Sequence, residues 1–275
     1  MSYENPEVPH EVNVARDHPV GEFLRLLAGL GVCVLALSVL LYLCGGWLAR
    51  QLPFSLEQRW VGERIVGLGA LVERDDDAQL AAYLDRLVQS LAATMQLPAD
   101  MTLRVHLSAS DVPNAFATLG GHIVVTRGLY RRMPSENALA LVLAHEIAHL
   151  RERDPIAAAG SSAGLSLGLL LLGADAEKIA PAMAGLVQMG YSRRAESLAD
   201  TAAVQAVRAV YGHAGGTAAV FEVLADYQAQ FGIAVPTLLS THPADAARIA
   251  ALREASASWD ATRQPLLPLA VADKK

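Results

Sequence analysis

The stretch Leu139–Leu150 reads L-A-L-V-L-A-H-E-I-A-H-L, and the remainder of the chain is interpreted from it. On a helix, His145 and His149 are one turn apart, so both imidazole rings lie on the same face. Two rings placed in this way can bind one zinc ion. Glu146 lies beside that ion, where its carboxylate can take a proton from a water molecule that the metal activates. This spacing is the H-E-x-x-H arrangement of zinc peptidases.

A buried helix with two hydrogen-bonded histidines in its core is the alternative to a metal site. The composition of the stretch favours the metal. Apolar residues cover nearly every side of the predicted helix, as is typical of a helix inside a domain. They are Ala140, Leu141, Leu143, Ala144, Ile147 and Ala148. Two histidines and an acid are costly to bury in such surroundings unless they bind something.

The composition indicates a globular domain with membrane contact. The chain has 275 residues, which is enough for one sizeable domain and an appendage, and 53% of them are hydrophobic. The formal net charge of −6 and the absence of a basic run argue against a nucleic-acid partner. Cys33 and Cys44 are the only cysteines and lie in one apolar stretch, so we expect neither a disulfide framework nor a cysteine zinc site.

The apolar stretch from Leu26 to Ala49 carries no charge and is long enough to cross a bilayer once as a helix. We assign residues 1–22 to a flexible polar tail and residues 23–49 to an uncleaved anchor, because no A-x-A cleavage site comes after the apolar stretch. Slightly more basic residues flank its C-terminal end, which by the positive-inside rule favours a cytoplasmic domain. Single N-terminal anchors in bacteria commonly export the domain behind them, and we therefore expect an inner-membrane protein with a periplasmic catalytic domain.

Residues 50–260 are predicted to form one mostly helical α+β domain, with a loose C-terminal tail over residues 261–275. An amphipathic helix follows Asp75-Asp76-Asp77, which can cap its N-terminus. Residues 156–174 are again free of charge, with glycines at four-residue spacing that suit close helix packing. We interpret them as one arm of a buried or membrane-touching hairpin, because the apolar run over residues 179–190 is too short to span.

A small β-sheet is predicted upstream of the motif helix. Residues 102–107 alternate between apolar and polar side chains, as in a half-buried strand. Residues 115–126 contain two further short runs around Gly120-Gly121 and predict a β-hairpin. His106 and His122 are expected to be surface histidines on these strands rather than metal ligands.

A catalytic zinc needs a third protein ligand, and the candidate lies far downstream. Glu196 and Asp200 are one helical turn apart, so both carboxylates project from one face. Glu196 would bind the metal, and Asp200 would accept a hydrogen bond from the far nitrogen of a ligating histidine and so fix its tautomer. Alone, the pair would be better explained as surface acids that pair with Arg193 and Arg194. Beside H-E-x-x-H, the metal interpretation is preferred.

With these motifs, the sequence resembles the membrane-associated zinc metallopeptidases that include HtpX, the outer-membrane quality-control protease BepA and the CAAX prenyl protease. The resemblance covers most of residues 55–255, in the family's order. The matching elements are P-N-A-F-A from Pro113, G-G-H-I-V-V-T-R-G-L from Gly120, H-E-I-A-H from His145, S-R-R-A-E-S-L-A-D from Ser192 and T-H-P-A-D-A-A-R-I from Thr241. The chain departs from HtpX in having one clear anchor before the domain, which favours the single-anchor or soluble members.

The resemblance implies a zincin-like fold of the gluzincin type and one Zn²⁺ per chain. At the matching positions, His145, His149 and Glu196 correspond to the zinc ligands. Glu146 corresponds to the general base of peptide hydrolysis.

Further residues have roles that the resemblance alone implies. His242 matches a histidine near the metal, which serves either as a transition-state hydrogen-bond donor or as an extra ligand that holds the enzyme inactive. Arg248 is expected to pair with an acid near the site. Asn114, Ala115 and Phe116 would form the strand along which an extended peptide substrate binds.

These observations together predict a zinc-dependent endopeptidase for misfolded or membrane-associated proteins, attached to the bilayer through residues 26–49. A chaperone-like or scaffold protein that holds client chains with little cleavage stays open, because intact zinc motifs do not prove turnover. An intramembrane protease is rejected, because charged residues from Arg131-Arg132 to Asp154 bound the motif helix and leave too little apolar length to cross. The sequence does not define an oligomeric state.

Overall fold

The computed structural model describes residues 19–61, 75–171, 191–231, 242 and 246–271. The helices are α1 (Pro19–Arg50), α2 (Phe54–Val61), α3 (Ala78–Ala92), α4 (Arg127–Arg132), α5 (Glu136–Arg151), α6 (Asp154–Leu171), α7 (Arg193–Tyr211), α8 (Ala219–Phe231) and α9 (Ala246–Ser256). The strands are β1 (Arg104–Ser108), β2 (Ala115–Thr118) and β3 (His122–Thr126). The predicted mostly helical α+β class, with a small sheet behind one apolar N-terminal helix, is confirmed.

The described strands form one mixed sheet in the order β1-β3-β2. β1 runs parallel to β3, with Val105 opposite Ile123, and β2 runs antiparallel to β3 as the predicted hairpin. The turn between β2 and β3 depends on Gly120 and Gly121, whose φ angles of 76° and 83° lie in the left-handed region. This order leaves β2 at an edge of the sheet.

β3 is the central strand, and all five of its residues are buried. The prediction of a surface position is therefore wrong for His122, which is buried, whereas His106 is half-buried. The two rings stack with centroids 4.9 Å apart, and His106 Nε2 lies 2.6 Å from His122 Nδ1. Burial lowers the pKa of His122 to about 4, and the positive charges of His106 and Arg104 act in the same direction.

The motif helix α5 begins after Ser135, an N-cap whose hydroxyl accepts a hydrogen bond from the Ala138 amide. Every residue from Asn137 to Leu150 is buried. The helix is apolar on all sides because α3, α7 and β2 pack around it. It therefore runs through the centre of the core and carries its polar residues into the interior.

α1 has the length and composition of a membrane helix. Among the described residues, it alone is long and apolar enough to cross a bilayer. Residues 19–22 belong to this helix and not to the flexible tail that the sequence predicts for residues 1–22. Pro19 is the first helical residue, where its fixed φ is compatible with a helix and its missing N–H costs nothing. The remainder of that tail lies outside the described residues.

α6 packs antiparallel along α1 through small residues. A Cβ on Gly160 would meet the backbone of Gly45, and a Cβ on Gly164 would meet the carbonyl of Leu41. The four-residue glycine spacing therefore allows the two backbones to approach closely, as predicted for helix packing. The apolar run over residues 179–190, predicted as the second arm of a hairpin, lies outside the described residues.

The C-terminal segment is not the loose tail predicted for residues 261–275. The Leu267 carbonyl accepts a hydrogen bond from the Glu136 amide, and the Leu267 amide donates to Asn137 Oδ1. Val271 is buried, and its carbonyl accepts a hydrogen bond of 2.6 Å from the Tyr130 hydroxyl. The segment is ordered because it accepts a hydrogen bond from the first amide of α5, donates one to the Asn137 side chain and adds Val271 to the core. Residues 272–275 lie outside the described part.

Candidate metal centre

Two helices and one flanking residue build the candidate centre. α5 carries His145, Glu146 and His149, and Glu196 lies in the first turn of α7, which packs along α5. The Ser192 hydroxyl caps α7 by accepting a hydrogen bond from the Ala195 amide and so fixes where this turn begins. His242 is buried beside them. Folding therefore joins residues almost a hundred positions apart.

Four side chains, His145, His149, Glu196 and His242, converge with one potential ligand atom each, all within 4.8 Å of one another. His145 Nε2 lies 3.1 Å from His149 Nε2 and 3.3 Å from Glu196 Oε2. His149 Nε2 lies 3.5 Å from Glu196 Oε1. His242 Nδ1 lies 3.2 Å from His145 Nε2 and 2.9 Å from Glu196 Oε1.

These separations fit a tetrahedral metal site. With metal–ligand bonds of about 2.0–2.1 Å, the ligand atoms around zinc stand roughly 3.3 Å apart. The observed distances of 2.9–3.5 Å, which involve both carboxylate oxygens of Glu196, lie on both sides of that value. Three imidazole nitrogens pointing at one another cannot all be satisfied by mutual hydrogen bonds, because a neutral imidazole has one donor and one acceptor. The donor set therefore fits a cation at its centre.

The charge balance of the cluster also fits a divalent cation. Four carboxylates converge on the site, and two guanidinium groups face them. The acids are Glu146, Asp154, Glu196 and Asp200, and the bases are Arg50 and Arg248. With neutral imidazoles, two negative charges stay uncompensated in a buried place, which is costly without a cation.

Asp200 and Arg248 lie directly behind the candidate ligands. Asp200 Oδ1 is 3.0 Å from His145 Nδ1, the nitrogen that faces away from the cluster. Arg248 binds Asp200 through two hydrogen bonds of 2.6 and 2.8 Å and lies 2.8 Å from Glu196 Oε2. The contacts that the sequence predicts for both residues are present in the structure, so one arginine holds two carboxylates of the site.

Comparisons with known proteins agree with this geometry. The model of peptidase family M48 matches residues 78–256, which is well over half of the chain. The chain belongs to peptidase family M48. It is therefore a metallopeptidase, and the predictions of this class of hydrolase and of a metal-dependent family are confirmed.

Curated relatives carry protease names. A protease HtpX homolog of Desulforapulum autotrophicum is 30% identical, over 74% of this chain and 78% of the relative. A protease HtpX homolog of Burkholderia cenocepacia is 29% identical, over 71% of this chain and 81% of the relative. A putative beta-barrel assembly-enhancing protease of Vibrio cholerae is 31% identical over 65% of this chain, but the match spans only 40% of that relative.

In this M48 peptidase, Glu146 is fully buried beside the cluster. Its Oε2 accepts a hydrogen bond of 2.8 Å from the amide of Ala117 on β2. Its Oε1 makes no hydrogen bond with the described residues and lies 3.5 Å from His242 Nε2. A buried carboxylate oxygen without a donor is costly, so this atom is suited to receive a proton or a bound water.

The predicted substrate strand lies next to Glu146 in the M48 peptidase. Ala115 and Phe116 begin the edge strand β2, and Asn114 directly precedes it. Ala115 is buried, Phe116 is half-buried, and Asn114 Oδ1 is buried without a hydrogen bond to the described residues. The hydrogen bond from Ala117 to Glu146 therefore joins this edge of the sheet to the motif helix α5.

The carboxylates set the protonation of the candidate ligands. Burial lowers the pKa of His145, but hydrogen bonds to Asp200 and Glu196 outweigh it and raise that pKa to about 9. Burial raises the pKa of Glu196, but hydrogen bonds from three histidines reverse the effect and hold it far below its usual range. The site therefore favours positive charge at its centre and an ionised Glu196.

Two residues of the site are missed by the sequence reasoning. From sequence, Asp154 is only a charge that ends the apolar length of α5, but its Oδ2 lies 2.9 Å from His149 Nδ1. An acid five residues after the second histidine of the motif is the signal that was available. Tyr191 packs its ring 4.2 Å from that of His149, and burial raises the pKa of its hydroxyl. No spacing pattern identifies Tyr191.

Proposed function

We propose that this M48 peptidase is a zinc-dependent endopeptidase in which His145, His149 and Glu196 bind one Zn²⁺ and Glu146 is the general base. The observation that carries the proposal is the convergence of four potential ligand atoms beside Oε1 of the buried Glu146, which makes no hydrogen bond with the described residues. Asp200 and Arg248 support it, because they fix the orientation of His145 and Glu196.

The proposed chemistry assigns one task to each group. When bound, zinc lowers the pKa of a coordinated water and polarises the scissile carbonyl. Glu146 is oriented through Oε2 by the Ala117 amide, which leaves Oε1 to take the proton of the attacking water and pass it to the leaving amine nitrogen. A general base of this kind contributes roughly 10²- to 10⁴-fold to the rate.

The structure supports one of the two roles that the resemblance gives His242. Its Nδ1 stands in the fourth corner of the ligand set, 2.9 Å from Glu196 Oε1. A water molecule needs that corner. We therefore propose that His242 is an inhibitory fourth ligand in this conformation and that it leaves the corner when a substrate binds.

The proposed substrates are extended segments of misfolded or membrane-associated proteins. An extended chain can add to the edge strand β2 by main-chain hydrogen bonds, with Asn114 Oδ1 as a further acceptor and Phe116 as an apolar contact. The edge lies directly beside Glu146, so a bound peptide would cross the catalytic helix.

We also propose that α1 anchors the protein in a bacterial inner membrane with the catalytic domain in the periplasm. The apolar, exposed surface of α1 supports the anchor. A C-terminal tag should be digested by external protease in spheroplasts before lysis. A tag that resists digestion until the membrane is broken would place the domain in the cytoplasm.

Casein cleavage by the detergent-purified, full-length protein tests the enzymatic proposal. Cleavage should stop with a chelator, return with added zinc and fall by about 10²- to 10⁴-fold in Glu146→Gln, which keeps its zinc. The rival function is a chaperone-like protein that binds clients with little cleavage. Zinc-loaded protein that binds unfolded casein without cutting it, and shows no difference from Glu146→Gln, would support that rival.

A further inference from the structure

The membrane helix ends in contact with the metal centre. Arg50 is the last residue of α1, and its Nη2 donates a hydrogen bond of 2.7 Å to Asp154 Oδ1. The other oxygen of the same carboxylate, Oδ2, lies 2.9 Å from His149 Nδ1. A continuous polar path therefore runs from the end of the anchor to a candidate zinc ligand, through residues 104 and 5 positions apart in the chain.

The path fixes the orientation of His149. When His149 binds the metal through Nε2, which faces the other ligand atoms, its Nδ1 carries the proton and donates a hydrogen bond to Asp154. The ring can then neither flip nor rotate without loss of this hydrogen bond. Asp154 is only 5% exposed, so its carboxylate depends on protein partners for compensation. Arg50 supplies that compensation from the side away from His149.

The Arg50–Asp154 contact differs from a surface ion pair. Exposed pairs contribute little, because both ends are solvated when they separate. Here, Arg50 is 48% exposed and Asp154 is buried. Separation of the pair would solvate the guanidinium of Arg50 but leave the carboxylate of Asp154 buried without this partner.

The backbone around Asp154 is held by the segment that follows the anchor. Arg153 has a left-handed backbone, with φ of 62°, which is unfavourable for a residue with a side chain. Its guanidinium donates to the Leu52 carbonyl at 2.8 Å and pairs with the buried Glu57 at 2.5 Å. Glu57 also accepts a hydrogen bond from the Gly120 amide at the end of β2.

Helix packing keeps the two partners in register. Asp154 is the first residue of α6, and α6 runs antiparallel to α1 with Gly160 against Gly45. The last turn of α1 is therefore placed beside the first turn of α6.

We propose that Arg50 is a positioning residue of the metal centre: it holds Asp154, Asp154 holds His149, and the membrane anchor thereby sets the metal affinity of the peptidase. The inference rests on the proposed zinc-peptidase function. It makes the anchor a structural part of the catalytic site in addition to a means of attachment.

Zinc affinity of the full-length protein in detergent tests this inference, through competition with a chelator of known affinity. Asp154→Asn should weaken zinc binding by about 10- to 100-fold, as expected for a residue that orients a ligand. Arg50→Ala should weaken it by about three- to tenfold, because the carboxylate itself stays in place. Arg50→Lys should recover part of the loss. Arg59→Ala is the matched control, since Arg59 is exposed on α2, and it should match the wild type.

The double variant Arg50→Ala/Asp154→Asn distinguishes positioning from general damage. If Arg50 acts through Asp154, the double variant binds zinc no more weakly than Asp154→Asn alone. The inference would be overturned if the losses of zinc affinity in the two single variants multiplied in the double variant. It would also be overturned if Arg50→Ala bound zinc like the wild type while Asp154→Asn bound it weakly. Both results would leave the proposed zinc site intact. A wild-type protein without stoichiometric zinc would contradict the proposed function itself, and the inference with it.

Discussion

Three of the four acids of the candidate site differ in their partners, and the partners suit different tasks. Glu196 faces the imidazole nitrogens and stays ionised, as a metal ligand must. Asp200 is bound by Arg248 through two hydrogen bonds and is therefore fixed as an acceptor for His145. Glu146 has one backbone donor, and its other oxygen makes no hydrogen bond with the described residues, which suits it to move a proton.

Replacement of His242 tests its inhibitory role. Since His242 Nδ1 stands in the corner that a water molecule needs, His242→Ala should raise casein cleavage several-fold at saturating zinc. Zinc binding should weaken, because one candidate ligand is lost. Initial rates and bound zinc, measured on the same preparations, check both effects. A fall of about 10²-fold or more in kcat with unchanged zinc content would instead establish His242 as a transition-state donor.

His122 should make stability depend on pH. Its pKa is lowered from 6.5 to about 4 in the folded protein by burial, with His106 and Arg104 acting in the same direction. The unfolded chain therefore takes up this proton first as the pH falls, so stability present above pH 6.5 is lost between pH 6.5 and 4. The loss from this group should be about 3 kcal/mol, because one pKa unit corresponds to about 1.4 kcal/mol.

Metal-free wild-type and His122→Gln proteins provide the comparison, because removal of zinc excludes effects of metal release in acid. The free energy of unfolding should fall less steeply in His122→Gln between pH 7 and 4.5, since glutamine takes up no proton. Parallel pH profiles of the two proteins would show that His122 titrates normally in the fold.

At the scale of elements, the C-terminal segment acts as a strap across the start of α5. Removal of residues 265–275 takes away the partners of the Glu136 amide and the Tyr130 hydroxyl and exposes the site of Val271. The free energy of unfolding should fall by about 5 kcal/mol, from four lost hydrogen bonds at about 1 kcal/mol each and one lost apolar side chain. Urea unfolding followed by circular dichroism measures this difference.

A shorter truncation controls for the loss of chain ends. Removal of residues 272–275 keeps Val271 and the hydrogen bonds of Tyr130, so stability should stay within about 0.5 kcal/mol of the full chain. Equal stability of both truncated proteins and the full chain would mean that the strap contributes nothing to the fold.

Local patterns predict most elements, because each element carries its own signal. The Ser135 cap and the apolar sequence define α5, and Gly120-Gly121 defines the hairpin. The order of the C-terminal strap cannot be predicted from local sequence, because it comes from hydrogen bonds to Asn137 and Tyr130, which are far away in the chain. The parallel pairing of β1 with β3 is likewise absent from any local pattern.

At the scale of the whole molecule, the same limit explains which site residues can be predicted. His145, Glu146 and His149 lie on one helix, and Glu196 and Asp200 lie one turn apart on another. The spacing within each group therefore predicts it from the sequence. The packing of α1 against α6 brings Arg50 to Asp154 across 104 positions. No periodicity encodes that contact, and only the folded chain reveals that the anchor reaches the metal centre.

Metal content shows directly whether folding brings ligands from α5 and α7 together around one ion. Elemental analysis of full-length protein, purified without a chelator, should find about one zinc per chain in the wild type and in Glu146→Gln. Glu196→Ala should lose most of that zinc while it stays folded by circular dichroism. A wild-type protein without stoichiometric transition metal would contradict the proposed zinc site. A Glu196→Ala protein with wild-type zinc affinity would contradict the role of Glu196 as a ligand.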